Sequence, residues 1–234
     1  MRRAILTLCV LGAVGFAGWQ GLTHPKTPLP DHWNPLTPLN VAAPVTPFTG
    51  MKLRGALTDG ALCATVTAPA AQLTQLEDRV VSDQCGIVDR VSLSAVGDSQ
   101  ITPVETRCQI ALRMAMWEVH SLQPAALAHL GEPLSRIDHM SSYSCRPIRT
   151  TGGKGQRMST HSTADAIDIA GFVTQSGRRI TLLEGWSGTP DEAAFLRAAR
   201  DGACDWFRTV LGPEYNRLHA DHFHLQNVGW GTCR

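Results

Sequence analysis

The placement of its cysteines is the feature that most restricts how this 234-residue chain can fold. Cys9 lies in an apolar N-terminal segment, and the other six of the seven cysteines are spread over the rest of the chain. An even set in an exported chain predicts disulfides, so these six are disulfide candidates. No two of them form a Cys-x-x-Cys pair, so a thiolate zinc site is not indicated. Their order along the chain favours three pairings: Cys63–Cys85, Cys108–Cys145 and Cys204–Cys233.

The N-terminal segment supports export. Arg2 and Arg3 precede an uncharged apolar run over residues 4–19, which is the pattern of a secretory signal or a signal-anchor. We therefore expect residues 1–22 to direct the chain to the periplasm. An uncleaved anchor in the inner membrane, with the two arginines on the cytoplasmic side, is favoured. Cleavage and release is the alternative, because Gly15 and Ala17 are small enough to permit it.

A proline-rich stretch follows. Half of the 14 prolines lie between Pro25 and Pro47, so residues 23–50 cannot form a continuous helix or a central strand. They are interpreted as a semi-rigid linker. The alternative is an arm that packs on the domain surface through Trp33, Leu36 and Leu39. In either case residues 51–234 form the domain proper.

Charge argues against one class of partner. The formal net charge is +1, and the basic residues form no long run. Nucleic-acid binding needs a clustered basic face, so we expect no nucleic-acid partner and favour small or peptidic ones.

The hydrophobic pattern predicts one α+β domain. Helices are indicated at residues 69–80, 104–120 and 124–131, and from a capping box at Thr189 to Leu211. Strands are indicated at residues 87–96, 134–139 and 222–228, and a hairpin at 166–173 and 179–183. The glycines around Lys154 indicate a mobile loop. Because helices and strands do not alternate strictly, we expect a small antiparallel sheet that carries the functional site and is flanked by helices.

Two segments carry the chemistry: Ser159-Thr-His161-Ser-Thr-Ala-Asp-Ala-Ile-Asp168 and His219-Ala-Asp-His222-Phe-His224. A catalytic zinc site has three protein ligands and an open position for water, and such a zinc lowers the pKa of water to about 7 and polarises a carbonyl. Alternate side chains on a strand share a face, so His222 and His224 are expected to point the same way. One can bind metal while the other acts as a base; both acting as ligands is the alternative.

The pattern Ser159-x-His161, Ala164-x-Ala166-x-Asp168 and His219-x-x-His222-x-His224 resembles the zinc D-alanyl-D-alanine carboxypeptidases and the penicillin-insensitive murein endopeptidases. Six further stretches are also characteristic: Trp33-Asn-Pro-Leu, Arg136-Ile-Asp-His139, Ser142-Tyr-Ser-Cys-Arg146, Ala166-Ile-Asp-Ile-Ala-Gly-Phe172, Asp201-Gly-Ala-Cys204 and Leu211-Gly-Pro-Glu-Tyr-Asn216. With these, residues 33–234 resemble the bacterial extensin-like C-terminal domain family even more closely. That name refers to a plant wall protein and implies no extensin activity.

The resemblance implies a ligand set and a base. His161, Asp168 and His224 match the zinc ligands, so Zn²⁺ is the implied cofactor. His222 matches the presumed general base. Related dipeptidases place a Glu three residues before the last histidine as base, where this chain has Asp221; the His-x-His pattern on a strand favours His222.

Two further residues receive roles from the resemblance. His219 matches the histidine that steadies the substrate or the oxyanion. Arg146 precedes His161 by a distance similar to that of the arginine that contacts the substrate carbonyl or carboxylate. A structural arginine in a salt bridge is the alternative for Arg146.

The function implied is that of a periplasmic zinc metallopeptidase that hydrolyses amide bonds of peptidoglycan stem peptides or cross-links. The resemblance is compatible with carboxypeptidase or endopeptidase action, and with cleavage of a D,D or an L,D bond. Hedgehog signalling domains share the zinc fold of this superfamily while acting through protein contacts. The alternative is therefore a non-catalytic, zinc-stabilised module that binds the cell wall or a protein.

Overall fold

The structure is a computed structural model and describes residues 2–234. The helices are α1 Arg2–Thr23, α2 Thr49–Ala56, α3 Gly60–Thr67, α4 Cys108–Trp117, α5 Gln123–Leu130, α6 Leu182–Gly185 and α7 Pro190–Trp206. The strands are β1 Ala71–Gln75, β2 Arg79–Ser82, β3 Cys85–Ile87, β4 Arg90–Val96, β5 Ser99–Arg107, β6 Leu134–Ser141, β7 Pro147–Thr150, β8 Gly153–Met158, β9 Ala166–Thr174, β10 Arg179–Thr181, β11 Thr209–Leu211, β12 Phe223–Gln226 and β13 Thr232–Cys233.

In the part of the chain that is described, nine strands form one sheet. Their order is β1-β4-β5-β6-β9-β12-β11-β13, and β10 pairs with β9. The α+β class expected from the sequence is confirmed. The sheet is larger than the small antiparallel one expected, and it is mixed, because β5 with β6 and β11 with β13 run parallel. Strands β6, β9 and β12, at its centre, are antiparallel.

The core lies where α4 and α7 pack against the sheet. Every residue of α4 is buried. Trp117 of α4 meets Phe172 of β9 edge to face at 6.0 Å, and Phe172 meets Phe195 of α7 at 5.2 Å. Aromatic pairs of this geometry contribute beyond their burial. Because Phe172 lies on β9, this packing fixes the strand that also carries Asp168.

Two elements differ from the sequence-based prediction. Residues 69–80 are not a helix, because α3 ends before Pro69 and the chain continues as β1 and β2. The helix predicted at 104–120 begins only at Cys108, since the preceding β-branched run pairs as β5 between β4 and β6. In both places tertiary pairing overrides an apolar spacing that also fits a helix.

Other predicted elements are found close to their expected places. Helix α5 ends at Leu130, and Gly131, whose φ is +76°, forms its left-handed cap. Thr189 caps α7 by accepting a hydrogen bond from Glu192 N–H. That helix ends at Trp206 rather than reaching Leu211, which belongs to β11. The segment around Lys154, expected as a loop, forms the hairpin β7–β8.

The disulfide prediction is confirmed at one bridge and wrong at two. Cys204–Cys233 is present. The pairings Cys63–Cys85 and Cys108–Cys145 are replaced by Cys63–Cys108 and Cys85–Cys145. Chain order fails because α3 packs on α4, and β3 packs against the 3₁₀ turn Thr160–Thr163 beside Cys145 rather than towards Cys63.

The N-terminal region has two parts. Helix α1 is long and apolar enough to cross a membrane, and none of its residues is buried. Within the proline-rich stretch, Leu39 and Val41 are buried in the core, and Trp33 lies edge-on to Phe48 at 6.4 Å. Of the three residues named for a packed arm, Leu39 is buried, whereas Trp33 and Leu36 are exposed.

Candidate metal centre

Three side chains converge at the centre of the sheet: His161, Asp168 and His224. His161 Nε2 lies 3.1 Å from Asp168 Oδ2 and 3.1 Å from His224 Nδ1. His224 Nδ1 lies 2.7 Å from Asp168 Oδ1. The structure thus brings together the three ligands that the sequence analysis named, although 63 residues separate the two histidines.

Strand register explains the meeting of Asp168 and His224. Asp168 on β9 is directly opposite His224 on β12 and opposite Ser141 on β6. Directly opposed residues of an antiparallel pair have close side chains on one face of the sheet. The carboxylate is therefore held between two strands by their backbone hydrogen bonds.

His161 is positioned by a short turn. It lies in the 3₁₀ helix Thr160–Thr163, where the Ser159 hydroxyl accepts from the His161 N–H. Its Nδ1 lies 2.8 Å from the Ser142 carbonyl oxygen, which can only accept, so Nδ1 carries the proton. Nε2, the other ring nitrogen, consequently faces Asp168 and His224.

The donor set fits a zinc ion. Two imidazole nitrogens and a carboxylate oxygen are ordinary zinc ligands, and the three ligating atoms lie within 4.8 Å of one another. With one proton fixed on Nδ1, His161 can face the Asp168 carboxylate either as an Nε2–H donor of the imidazolium or, once a metal displaces that proton, with the Nε2 lone pair. A divalent cation bound by these atoms would take the place of the proton between them.

The local field keeps Asp168 ionised. Burial acts to raise its pKa, yet the hydrogen bonds and positive charge of His161 and His224 hold the pKa of Asp168 well below its ordinary value. Burial lowers the pKa of His224, against the opposing effect of Asp168. An ionised carboxylate and a neutral imidazole are the forms that bind metal.

His222 lies beside this cluster. Its Nε2 is 3.7 Å from Asp168 Oδ1, and its Nδ1 is 2.8 Å from Asp221 Oδ1. Because a carboxylate accepts, Nδ1 donates to Asp221 and Nε2 is directed towards Asp168 with a free lone pair in the neutral ring. As expected from strand alternation, His222 and His224 reach the same site.

His219 completes the group of histidines. Its ring centroid lies 5.2 Å from that of His222 and 5.8 Å from that of His224. Its Nδ1 is 2.8 Å from Asn216 Oδ1, the atom that also accepts from Leu218 N–H. Burial, then the nearby His222 and His224, lower the pKa of His219 to about 4.

Arg146 is joined to the centre through its backbone. Its carbonyl oxygen accepts from Ser159 N–H at 3.0 Å, two residues before His161. Its guanidinium lies 3.4 Å from the Pro147 carbonyl oxygen and forms no ion pair with a carboxylate in the described chain. The contacts expected of a salt-bridged structural arginine are therefore not seen.

Two residues of the characteristic stretches have a positioning role that was not predicted. Ser142 and Asn216 fix the rings of His161 and His219, respectively. Ser142 acts through its backbone carbonyl, so its side chain gives no sign of this role. Asn216 offers a weak one, since an Asn commonly caps a short helical turn, here Arg217–His219.

The fold and the site together define a disulfide-bonded α+β domain with a candidate His-Asp-His metal centre. Residues 61–234 match the family model described as the extensin-like protein C-terminus, and the chain belongs to this family. All three candidate ligands lie within the matched region, whereas residues 33–60 lie outside it. No curated protein and no solved structure matches the chain.

Proposed function

We propose that this protein is a zinc-dependent peptidase that hydrolyses amide bonds in peptidoglycan stem peptides or cross-links. The observation that carries the proposal is the convergence of His161, Asp168 and His224 beside His222, an imidazole that no ligand role requires. A purely structural zinc site is closed by four protein ligands. Three ligands with a free imidazole beside them favour a catalytic site instead.

When bound, zinc supplies a Lewis acid for the scissile carbonyl and makes water a stronger acid. In this proposal His222 accepts the proton of the attacking water at Nε2, because its Nδ1–H is held by Asp221. The Asp221 carboxylate also stabilises the imidazolium that forms. His222 then returns the proton to the departing amine.

Arg146 and His219 would position the substrate in different ways. The His219 Nδ1–H is donated to Asn216 Oδ1 and burial keeps the ring neutral, so its Nε2 can accept a hydrogen bond from a substrate N–H but cannot donate one to an oxyanion. Arg146, which has no carboxylate partner in the described chain, is free to pair with a carbonyl or carboxylate of the substrate. A fixed donor at a developing oxyanion contributes about 3 kcal/mol to catalysis.

The proposed location is the periplasm, with α1 as inner-membrane anchor. An exposed apolar helix near the N-terminus and three disulfides support it. Fractionation of cells that express the full chain should place it with the inner membrane. A mature chain that lacks residues 1–22 would instead show that the segment is a cleaved signal.

The direct test is mass spectrometry of cross-linked and uncross-linked muropeptides after incubation with the zinc-loaded protein. Loss of one terminal residue marks a carboxypeptidase, and separation of cross-linked strands marks an endopeptidase. The masses and stereochemistry of the products also distinguish a D,D from an L,D bond. A chelator should abolish the reaction, and added zinc should restore it. Intact muropeptides after incubation with a zinc-loaded, folded protein would contradict the proposal.

A pair of variants separates catalysis from a zinc-stabilised binding module. His224→Ala should lose both metal and activity, whereas His222→Ala should retain zinc and lose activity. If a strain carrying His222→Ala keeps the wild-type phenotype while one carrying His224→Ala does not, the binding module is the correct interpretation.

A further inference from the structure

The hairpin β7–β8 adjoins the candidate metal centre. Its base is closed by the hydrogen bond from Ser159 N–H to the Arg146 carbonyl oxygen. Just before it, Ser144 N–H donates to the carbonyl oxygen of His161, at 2.9 Å. The Cys85–Cys145 bridge fixes the same segment to β3. The hairpin is thus attached to a candidate ligand but lies outside the main sheet.

The hairpin is the basic region of a chain that is otherwise acidic. Residues 142–164 include Arg146, Arg149, Lys154 and Arg157 and no Asp or Glu. The rest of the chain keeps 17 of the 21 Lys and Arg residues against all 20 Asp and Glu residues, a formal charge of −3. A positive element beside a candidate active site attracts anionic ligands to it.

Internal ion pairs do not account for the two exposed arginines of the hairpin. Arg149 and Arg157 are exposed, and neither forms an ion pair in the described part of the chain. Two exposed guanidinium groups without an internal partner, on an element that adjoins the candidate metal centre, are available to an anionic ligand.

We propose that Arg149 and Arg157 bind carboxylate groups of the peptide whose amide bond lies at the metal centre. This inference rests on the proposed peptidase function and adds the part of the substrate that the hairpin recognises. Guanidinium groups match carboxylates in shape and charge. Arg149 lies three residues beyond Arg146, about 10 Å along a strand, which an extended peptide of three or four residues spans. A short peptide with free carboxylates beside its scissile bond fits both the distance and the charge.

The test measures binding of a fluorescent stem peptide to the full-length, zinc-loaded protein. A His222→Ala background keeps the bound peptide from being consumed. One peptide has free carboxylates and the other has all of them amidated. Arg149→Glu with Arg157→Glu should weaken binding of the free acid about tenfold or more, since two exposed ion pairs are replaced by repulsions. Binding of the amidated peptide should not change. Arg149→Gln with Arg157→Gln should give a smaller loss of the same kind.

The control is the single change Arg54→Glu, compared with Arg149→Glu alone. Arg54 is an exposed arginine on α2, and both single variants change the net charge equally. An equal loss in Arg54→Glu, or an equal loss for the amidated peptide, would overturn the proposal. Unchanged binding of the free acid in the double variant would overturn it as well.

The two proposals can fail separately. If muropeptides are cleaved and the KM of the Arg149→Glu, Arg157→Glu protein equals that of the wild type, the peptidase proposal stands and the role of the hairpin is excluded. If no peptide is cleaved but binding depends on both the carboxylates and the two arginines, the hairpin binds peptide and the peptidase proposal fails.

Discussion

Each histidine of the site has one ring nitrogen tied to a different partner. His161, His222 and His219 use Nδ1 for the Ser142 carbonyl, the Asp221 carboxylate and the Asn216 amide oxygen. His224 instead turns Nδ1 towards Asp168. Sequence motifs predicted that these rings come together. They could not predict which nitrogen each ring presents, because that depends on side-chain torsions and on hydrogen-bond partners, one of them a backbone carbonyl, that the motifs do not specify.

The Asp221 carboxylate gives the first prediction. Asp221→Asn should lower kcat/KM roughly 10- to 100-fold, the usual effect of losing a partner that orients a functional histidine. The zinc content should not change, because Asp221 contacts His222 and not one of the three candidate ligands. Steady-state kinetics and metal analysis measure both quantities. Asp83→Asn, at an exposed turn position, is the control; if it lowers activity as much, orientation of His222 is not the cause.

His219 gives a prediction for pH. Its pKa is about 4 in the folded protein, against 6.5 for an unperturbed histidine. Between these values the unfolded chain binds a proton at this residue that the folded chain does not. The free energy of unfolding of the metal-free protein should therefore fall as the pH falls from 6.5 to about 4. Urea denaturation at several pH values should show a weaker fall for His219→Gln than for the wild type.

His129 supplies the control for this pH dependence. It is exposed on α5, so His129→Gln should leave the fall as steep as in the wild type. A fall that is equally steep in His219→Gln would exclude His219 as its source.

At the scale of elements, features that depend on neighbouring residues were predicted correctly, whereas strands that depend on long-range pairing were not. The α7 cap at Thr189, the α5 end at Gly131 and the β9–β10 hairpin follow from residues within a few positions of each other. Strands β1 and β5 do not, because their apolar spacing also fits a helix and only pairing with β4 makes them strands. Disulfide pairing failed for the same reason, since it depends on which elements pack together.

The corrected Cys85–Cys145 bridge leads to a prediction about the site. Cys145 lies between Ser144 and Arg146, whose backbones are hydrogen-bonded to His161 and Ser159. Replacing both cysteines by Ala should destabilise the fold by about 4 kcal/mol, from loop-closure entropy over a 60-residue separation. It should also weaken zinc binding, because the loop that holds His161 loses its attachment to β3. Competition with a chromogenic chelator measures the zinc affinity.

The Cys63–Cys108 bridge is the matched control. It closes a loop of similar size, with a 45-residue separation, and joins α3 to α4. Its removal should destabilise the fold by a similar amount while leaving the zinc affinity of the folded protein unchanged. Equal zinc affinities in the two double variants would show that the Cys85–Cys145 bridge acts on stability alone.

For the whole molecule, a metal at the candidate centre would join segments that are distant in the chain. The candidate ligands lie on β9, on β12 and in the turn before β9. An ion that binds only the folded arrangement would stabilise it by mass action. With free zinc at 1,000 times its dissociation constant, the gain is about 4 kcal/mol. For a protein of this size that corresponds to a rise in Tm of roughly 8–16 °C.

Thermal unfolding with and without zinc should show this rise in the wild type and in His222→Ala, but not in His224→Ala. His222→Ala is the decisive comparison, because it removes the proposed base and leaves the three ligands in place. An undiminished rise in His224→Ala would mean that zinc binds elsewhere and that the three residues do not form the metal centre. A rise lost in His222→Ala as well would make His222 a ligand, and the proton transfer assigned to it would then need another residue.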